Sequence, residues 1–213
     1  RLSLGNGCLD KFFKGGIPTR AITEVSGVSG SGKTQLSLQM CAMATLEKEF
    51  GGLHGSVIVI AASRLFNVKA LKRISEYLYG KFGKSNCERA LNMTGVIHIS
   101  DAETLAHVVR YQIPEAVRRM NCRLVVISGI SSVFTYRDED EEFNRSEMLL
   151  DVGLSLKKIA YESGAAVVCL NGSRSAPRGE NSNDSVGGMV EEICCSKVSI
   201  DYRTLLGSNE LYR

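Results

Sequence analysis

The sequence predicts an α/β fold in which a mostly parallel twisted sheet is flanked by helices, and three observations carry that expectation. Short runs rich in Val and Ile alternate with longer helix-like stretches, the pattern of strands feeding crossover helices. The first apolar run passes through a glycine-rich turn straight into a helical stretch. With 213 residues and 44% hydrophobic content the chain is large enough to bury the core of one such domain, spanning 1–213.

Each element follows from local pattern. Ala21 to Val25 reads as the first strand, Ser26 to Gly32 as the turn, and Lys33 to Glu49 as a helix with Leu36, Met40 and Met43 along one side. Ser56 to Ala62 is the second strand, Val68 to Phe82 a helix, Lys84 to Thr94 a polar connector and Gly95 to Ile99 the third strand. Asp101 stands at a helix N-cap ahead of an apolar face formed by Leu105, Val108 and Val109. Leu124 to Ile127 is the next strand. After the polar stretch Tyr136 to Arg145 comes a helix, Ser146 to Glu162, and Gly164 breaks it before the strand Ala165 to Leu170. Asn171 to Gly188 is expected to be a loop, with a final strand near Lys197 to Tyr202.

Composition removes some function classes. The formal net charge is only +3, with a pI near 8.5, so nucleic-acid binding would need local patches rather than a global field. The seven cysteines form no CxxC pair and mostly sit in apolar runs, which leads us to expect buried, reduced thiols and a reducing compartment. No apolar stretch approaches the roughly 20 residues that cross a bilayer and no signal peptide is visible, so a soluble protein with no membrane partner is expected. The chain opens on Arg1 rather than on methionine, and residues upstream of it are expected.

The strongest chemical signal is a phosphate-binding loop. Gly27, Val28, Ser29, Gly30, Ser31, Gly32, Lys33 and Thr34 satisfy GxxxxGK[ST] between a strand and a helix, the context that gives the motif its meaning, and Gln35 follows. Glycines let backbone amides turn toward an anion, and the helix N-terminus adds partial positive charge. Lys33 would reach the β- and γ-phosphates of ATP, and the Thr34 hydroxyl would ligate Mg2+. The motif alone does not name a reaction, since kinases, GTPases, motors and recombinases share it.

Flanking residues narrow the choice. Arg1 to Gly5, Leu9-Asp10, Gly15-Gly16-Ile17-Pro18, Ile22-Thr23-Glu24 and Gly32-Lys33-Thr34-Gln35-Leu36 together resemble the opening of the RecA-like P-loop ATPase core of eukaryotic recombinases and their paralogues. Arg123 to Ile127 is similar to the Walker B strand of that family, Tyr136-Arg137 to the start of its first DNA-binding loop, and Gly164 to Asn171 to the strand entering the second. The likeness covers nearly the whole chain and thins after Asn171. It implies the family's fold, ATP and Mg2+ as ligands, and a place in homologous recombination and DNA repair in the nucleus.

Three departures bear on catalysis. The family's water-activating Glu at the end of the second strand is matched by Ser63, its magnesium-holding Walker B Asp by Ser128, and its Asn-Gln sensor pair by Asn171-Gly172. A serine neither accepts the proton of an attacking water effectively nor supplies the charge. We therefore assign no catalytic residue and expect weak or no hydrolysis. The alternative is that Glu24, or an acid from a neighbouring subunit, takes over.

The loops point the same way. Asp138 to Glu142, five consecutive acids where the first DNA-binding loop should lie, would repel a phosphate backbone, and they read either as a solvated loop or as a docking surface for a basic partner. Arg137, Arg174 and Arg178 are the candidate DNA contacts, but no aromatic stands between Asn171 and Ile193 to stack a base. Lys69, Lys72 and Arg73 read as a solvated helix face. The resemblance thus implies an ATP-binding paralogue that joins other RecA-type recombinase paralogues in a hetero-oligomer and helps assemble or remodel a recombinase filament on single-stranded DNA. The competing expectation is a DNA-dependent ATPase that exchanges strands itself; a small-molecule P-loop kinase fits less well.

Overall fold

The computed structural model describes residues 1–62, 66–83, 88–134, 142–172, 194 and 196–199. Within them the chain runs α1 (Gly7–Phe12), β1 (Ala21–Gly27), α2 (Lys33–Thr45), β2 (Ser56–Ala61), α3 (Val68–Lys81), α4 (Glu88–Asn92), β3 (Thr94–His98), α5 (Ala102–His107), α6 (Ile113–Arg119), β4 (Cys122–Ser128), α7 (Ile130–Val133), α8 (Glu142–Ser163), β5 (Ala166–Gly172) and β6 (Ser196–Ser199). The strands form one six-stranded sheet in the order β3-β2-β4-β5-β1-β6, and every described pairing is parallel.

Alternation along the strands divides two cores. Val25, Val57, Val59, Leu124, Val126 and Val168 face α2 and α3, where Leu38, Met40, Met43 and Leu71 complete one cluster. Ile22, Ile58, Ile60, Val125, Ile127 and Val167 face the other way, onto Leu105, Val109, Ile113, Leu149 and Leu156. Because both faces are covered, the strands read as continuous apolar runs, which is why they are legible.

Helix ends depart most from expectation. The helix expected from Lys33 to Glu49 stops at Thr45, with Leu46 extended at φ −71° and ψ 160°. The glycine segment beyond it decides the stop. Leu53 and Gly55 donate their N–H groups to Ala44 O (3.3 and 3.2 Å) and His54 donates to Leu46 O (2.8 Å), so the returning backbone satisfies carbonyls that the helix end leaves open. That approach requires the absence of a side chain: a Cβ on Gly52 would lie 2.1 Å from Leu46 O and 2.7 Å from Met43 O.

The connector expected from Lys84 to Thr94 contains α4, whose Ala90 is fully buried, and β3 begins at Thr94 rather than Gly95. Asp101 caps α5 as expected, accepting the N–H of Thr104 at 2.7 Å. A π-helical turn, Val108–Gln112, joins α5 to α6. Pro114 in the first turn of α6 has no N–H to return to the preceding turn, and a wider turn there absorbs the loss. The helix expected from Ser146 begins earlier, at Glu142. At the chain's start, α1 has no counterpart in the sequence expectation; Asn6 caps it by accepting the N–H groups of Cys8 and Leu9 (2.9 and 3.3 Å). Leu2 and Ile17 exchange backbone bonds at 2.8 and 2.9 Å, seating the opening segment on α2 and α3.

Cys41, Cys122 and Cys169 are buried and unbridged, as expected, whereas Cys8 is exposed because it sits on the outer side of short α1. Burial pushes the Cys41 thiol up to about 12 and the Cys122 thiol up to about 11. No described helix is long and apolar enough to cross a membrane.

Two outcomes follow. Gly52→Ala should lower the unfolding free energy by about 2 kcal/mol, as overpacking against fixed backbone does, measured by urea denaturation. At pH 8 the native protein should be alkylated by iodoacetamide at Cys8 while Cys41 and Cys122 stay protected until urea is added, as mapped by mass spectrometry.

Candidate nucleotide site

The loop from β1 into α2 is shaped by two left-handed glycines. Gly30 has φ +83° and Gly32 φ +92°, and a Cβ on either would meet nothing within 4 Å. The demand on glycine is therefore conformational rather than steric. Gly32 is the N-cap of α2 and provides no side-chain bond to the first turn of this 13-residue helix. Val28, Ser29 and Gly30 are exposed, while Ser31 is buried beneath the loop.

Lys33 lies folded over the loop. Its Nζ donates to Gly27 O at 2.6 Å, Val28 O at 2.7 Å and Ser31 Oγ at 3.3 Å. The ammonium thus holds the turn in shape and stands where a phosphate would compete for it. Lys33 is half-buried, and Thr34 and Gln35 are exposed on the first turn of α2.

Beyond Gln35 a cavity of about 420 Å³ opens between α2, α3 and the opening segment, with Gln39, Ala70, Arg73, Ile74 and Asn6 among its walls. Gln39 Nε2 donates to Leu4 O, and Lys81 Nζ donates to Gly5 O at 2.8 Å, so the opening segment is pinned as one side of the cavity. Arg73 is exposed, as expected of a solvated helix residue, and also borders this cavity; nothing in the local sequence joins it to Asn6 and Gln35.

Ser128 is the last residue of β4, in register with Ala61 of β2 and Leu170 of β5. Its carbonyl accepts Ala62 N–H at 2.9 Å, and Gly129 turns away at φ +79° with its N–H on Leu170 O at 3.1 Å. Ser128 alternates with Leu124 and Val126, so it emerges on the face of the sheet that α2 covers. Glu24 falls on the opposite face, in step with Ile22, and is 1% exposed. Asn171 Nδ2 donates to it at 3.1 Å. Glu24 is thus turned away from α2.

Ser63, Arg137, Arg174, Arg178 and the acids 138–141 lie outside the described residues.

The sequence model of the Rad51 family matches residues 1–200. Among curated relatives, DNA repair protein XRCC3 of Mus musculus is 31% identical over 188 residues, covering 80% of this chain and 51% of the relative. DNA repair protein rhp57 of Schizosaccharomyces pombe is 28% identical over 186 residues, with 80% and 52% covered. DNA repair protein RAD51 homolog 2 of Homo sapiens is 27% identical over 176 residues, with 80% and 46% covered. The chain spans about half the length of the curated relatives it matches. The parallel sheet, the loop at Gly27 to Thr34 and a match over nearly the whole length agree: this chain belongs to the Rad51 family of RecA-like proteins.

Proposed function

We propose that this chain is an ATP-binding, weakly or non-hydrolysing subunit that joins other Rad51-family proteins and assists recombinase filament assembly or remodelling on single-stranded DNA during recombinational repair in the nucleus. One observation carries it: a complete phosphate cradle is paired with Ser128 at the end of β4, where the family resemblance expects a magnesium-holding carboxylate.

The residues present suit a triphosphate. Two left-handed glycines, the N-terminus of α2 and the Lys33 ammonium suit an anion, with no acid on the loop itself. The cavity past Gln35 has apolar walls in Ala70 and Ile74 and polar groups in Gln35 and Arg73, a mixture that suits a base and ribose. For Mg2+ the donor set is thinner, with the hydroxyls of Thr34 and Ser128 in place of a hydroxyl and a carboxylate. When bound, the nucleotide would supply a dense negative charge that draws Lys33 off the carbonyls of Gly27 and Val28. Loop shape then becomes dependent on occupancy, which is what a subunit held together through its nucleotide requires.

The names of the relatives support a role in DNA repair. The competing reading, an ATPase that exchanges strands, needs a carboxylate that neither Ser128 nor Glu24 provides on the α2 face.

Lys33→Ala should weaken binding of a fluorescent non-hydrolysable ATP analogue about 10- to 100-fold, the worth of a charge-assisted hydrogen bond of ~1.5–3 kcal/mol, and should reduce co-purification with a Rad51-family partner. Undiminished recovery of the partner with the variant would contradict the nucleotide's role in assembly. Ser128→Asp should make analogue binding more steeply dependent on Mg2+ concentration, as read by titration; an unchanged dependence would place the metal away from β4.

A further inference from the structure

β1 reads Ala, Ile, Thr, Glu, Val, Ser, Gly, and its one carboxylate is almost completely buried. Glu24 lies opposite Cys169 in the β1–β5 register, and Asn171 lies opposite Ser26. The hydrogen bond from Asn171 Nδ2 to Glu24 Oε1 at 3.1 Å therefore runs diagonally across the two strands, joining residues 147 apart in sequence. On its other side β1 pairs with β6, where Lys197 is the residue in register with Glu24. Asn171 is itself 6% exposed, and its Oδ1, also buried, accepts no hydrogen bond among the described residues. Within that set, the Glu24 carboxylate is what orients the amide.

An apolar residue would fill this site without the cost of burying a carboxylate, and Ile22, Val167 and Cys169 on the same face of β1 and β5 already belong to an apolar core. The polar pair sits at a particular place. Glu24 is three residues before Gly27, where the P-loop begins, and Asn171 is the penultimate residue of β5. Gly27 and Gly172 face each other in the same register, so the pair lies directly behind the point where both strands end.

We propose that Glu24 is a positioning residue whose buried carboxylate fixes the Asn171 amide, tying the end of β5 to the P-loop strand so that nucleotide at Gly27 to Thr34 stabilises the end of β5. The inference rests on the nucleotide-binding reading above. Gly172, the residue after Asn171, offers no side chain, and the Glu24–Asn171 hydrogen bond crosses between the two strands beside it.

The test is hydrogen–deuterium exchange of the full chain with and without a non-hydrolysable ATP analogue and Mg2+. In the wild type, the analogue should slow exchange both in the P-loop and at residues 169–172, the latter about 10-fold. The double variant Glu24→Leu with Asn171→Leu replaces both members of the pair by apolar groups, and a single cooperative thermal transition checks that it folds. It should bind the analogue within about threefold of wild type and keep P-loop protection, yet lose the added protection at 169–172. Glu24→Gln keeps an acceptor oxygen and should retain that protection. Undiminished protection at 169–172 in the double variant would overturn the coupling alone. A wild type that fails to bind the analogue would overturn the nucleotide reading and the coupling with it.

Discussion

The placement of α2 constrains everything else: its first turn has to follow directly from the loop at the end of β1 while nine of its thirteen residues are buried. Glycine solves the problem at both ends by different means. At the N-terminus Gly30 and Gly32 adopt left-handed backbone in open space, which turns the chain out of β1 and into the helix. At the C-terminus Gly52 lets the returning chain touch the last turn so closely that main-chain donors cap it. A helix held at both ends places Lys33 at the foot of the loop, where its ammonium reaches the carbonyls of Gly27 and Val28.

The chemistry around this helix is uneven. The loop carries Lys33 and two left-handed glycines, while Ser128 stands where the family resemblance leads one to expect an acid. Ser128 sits at the end of β4 and on the face that α2 covers. Glu24 keeps its carboxylate on the other face and directs it to Asn171 across the sheet. On this reading the molecule keeps the parts that respond to a bound nucleotide and relinquishes those that would consume it.

Much of this is legible in the sequence for physical reasons. Strands buried on both faces leave uninterrupted Val and Ile runs, and the P-loop is a contiguous pattern with its strand and helix in place. Asp101 announces its cap because capping is local. Other features depend on contacts between distant residues. The charged run Glu47-Lys48-Glu49 suggests that α2 continues past Thr45, and only the packing of Gly52 on Leu46 shows why it stops. The cavity beside Gln35 gathers Asn6, Gln39 and Arg73 from separate elements, and Glu24 pairs with a residue on a strand far along the chain. No window of local sequence holds either relation.

The central claim, that the chain holds ATP without consuming it, is tested most directly by single-turnover hydrolysis with the protein in excess over labelled ATP and Mg2+, with and without single-stranded DNA, and with a partner whose own P-loop is disabled. Retained ATP with negligible conversion in every mixture is the predicted result. DNA-stimulated conversion that Lys33→Ala in this chain abolishes would contradict it, and would mean that a carboxylate reaches the γ-phosphate from elsewhere.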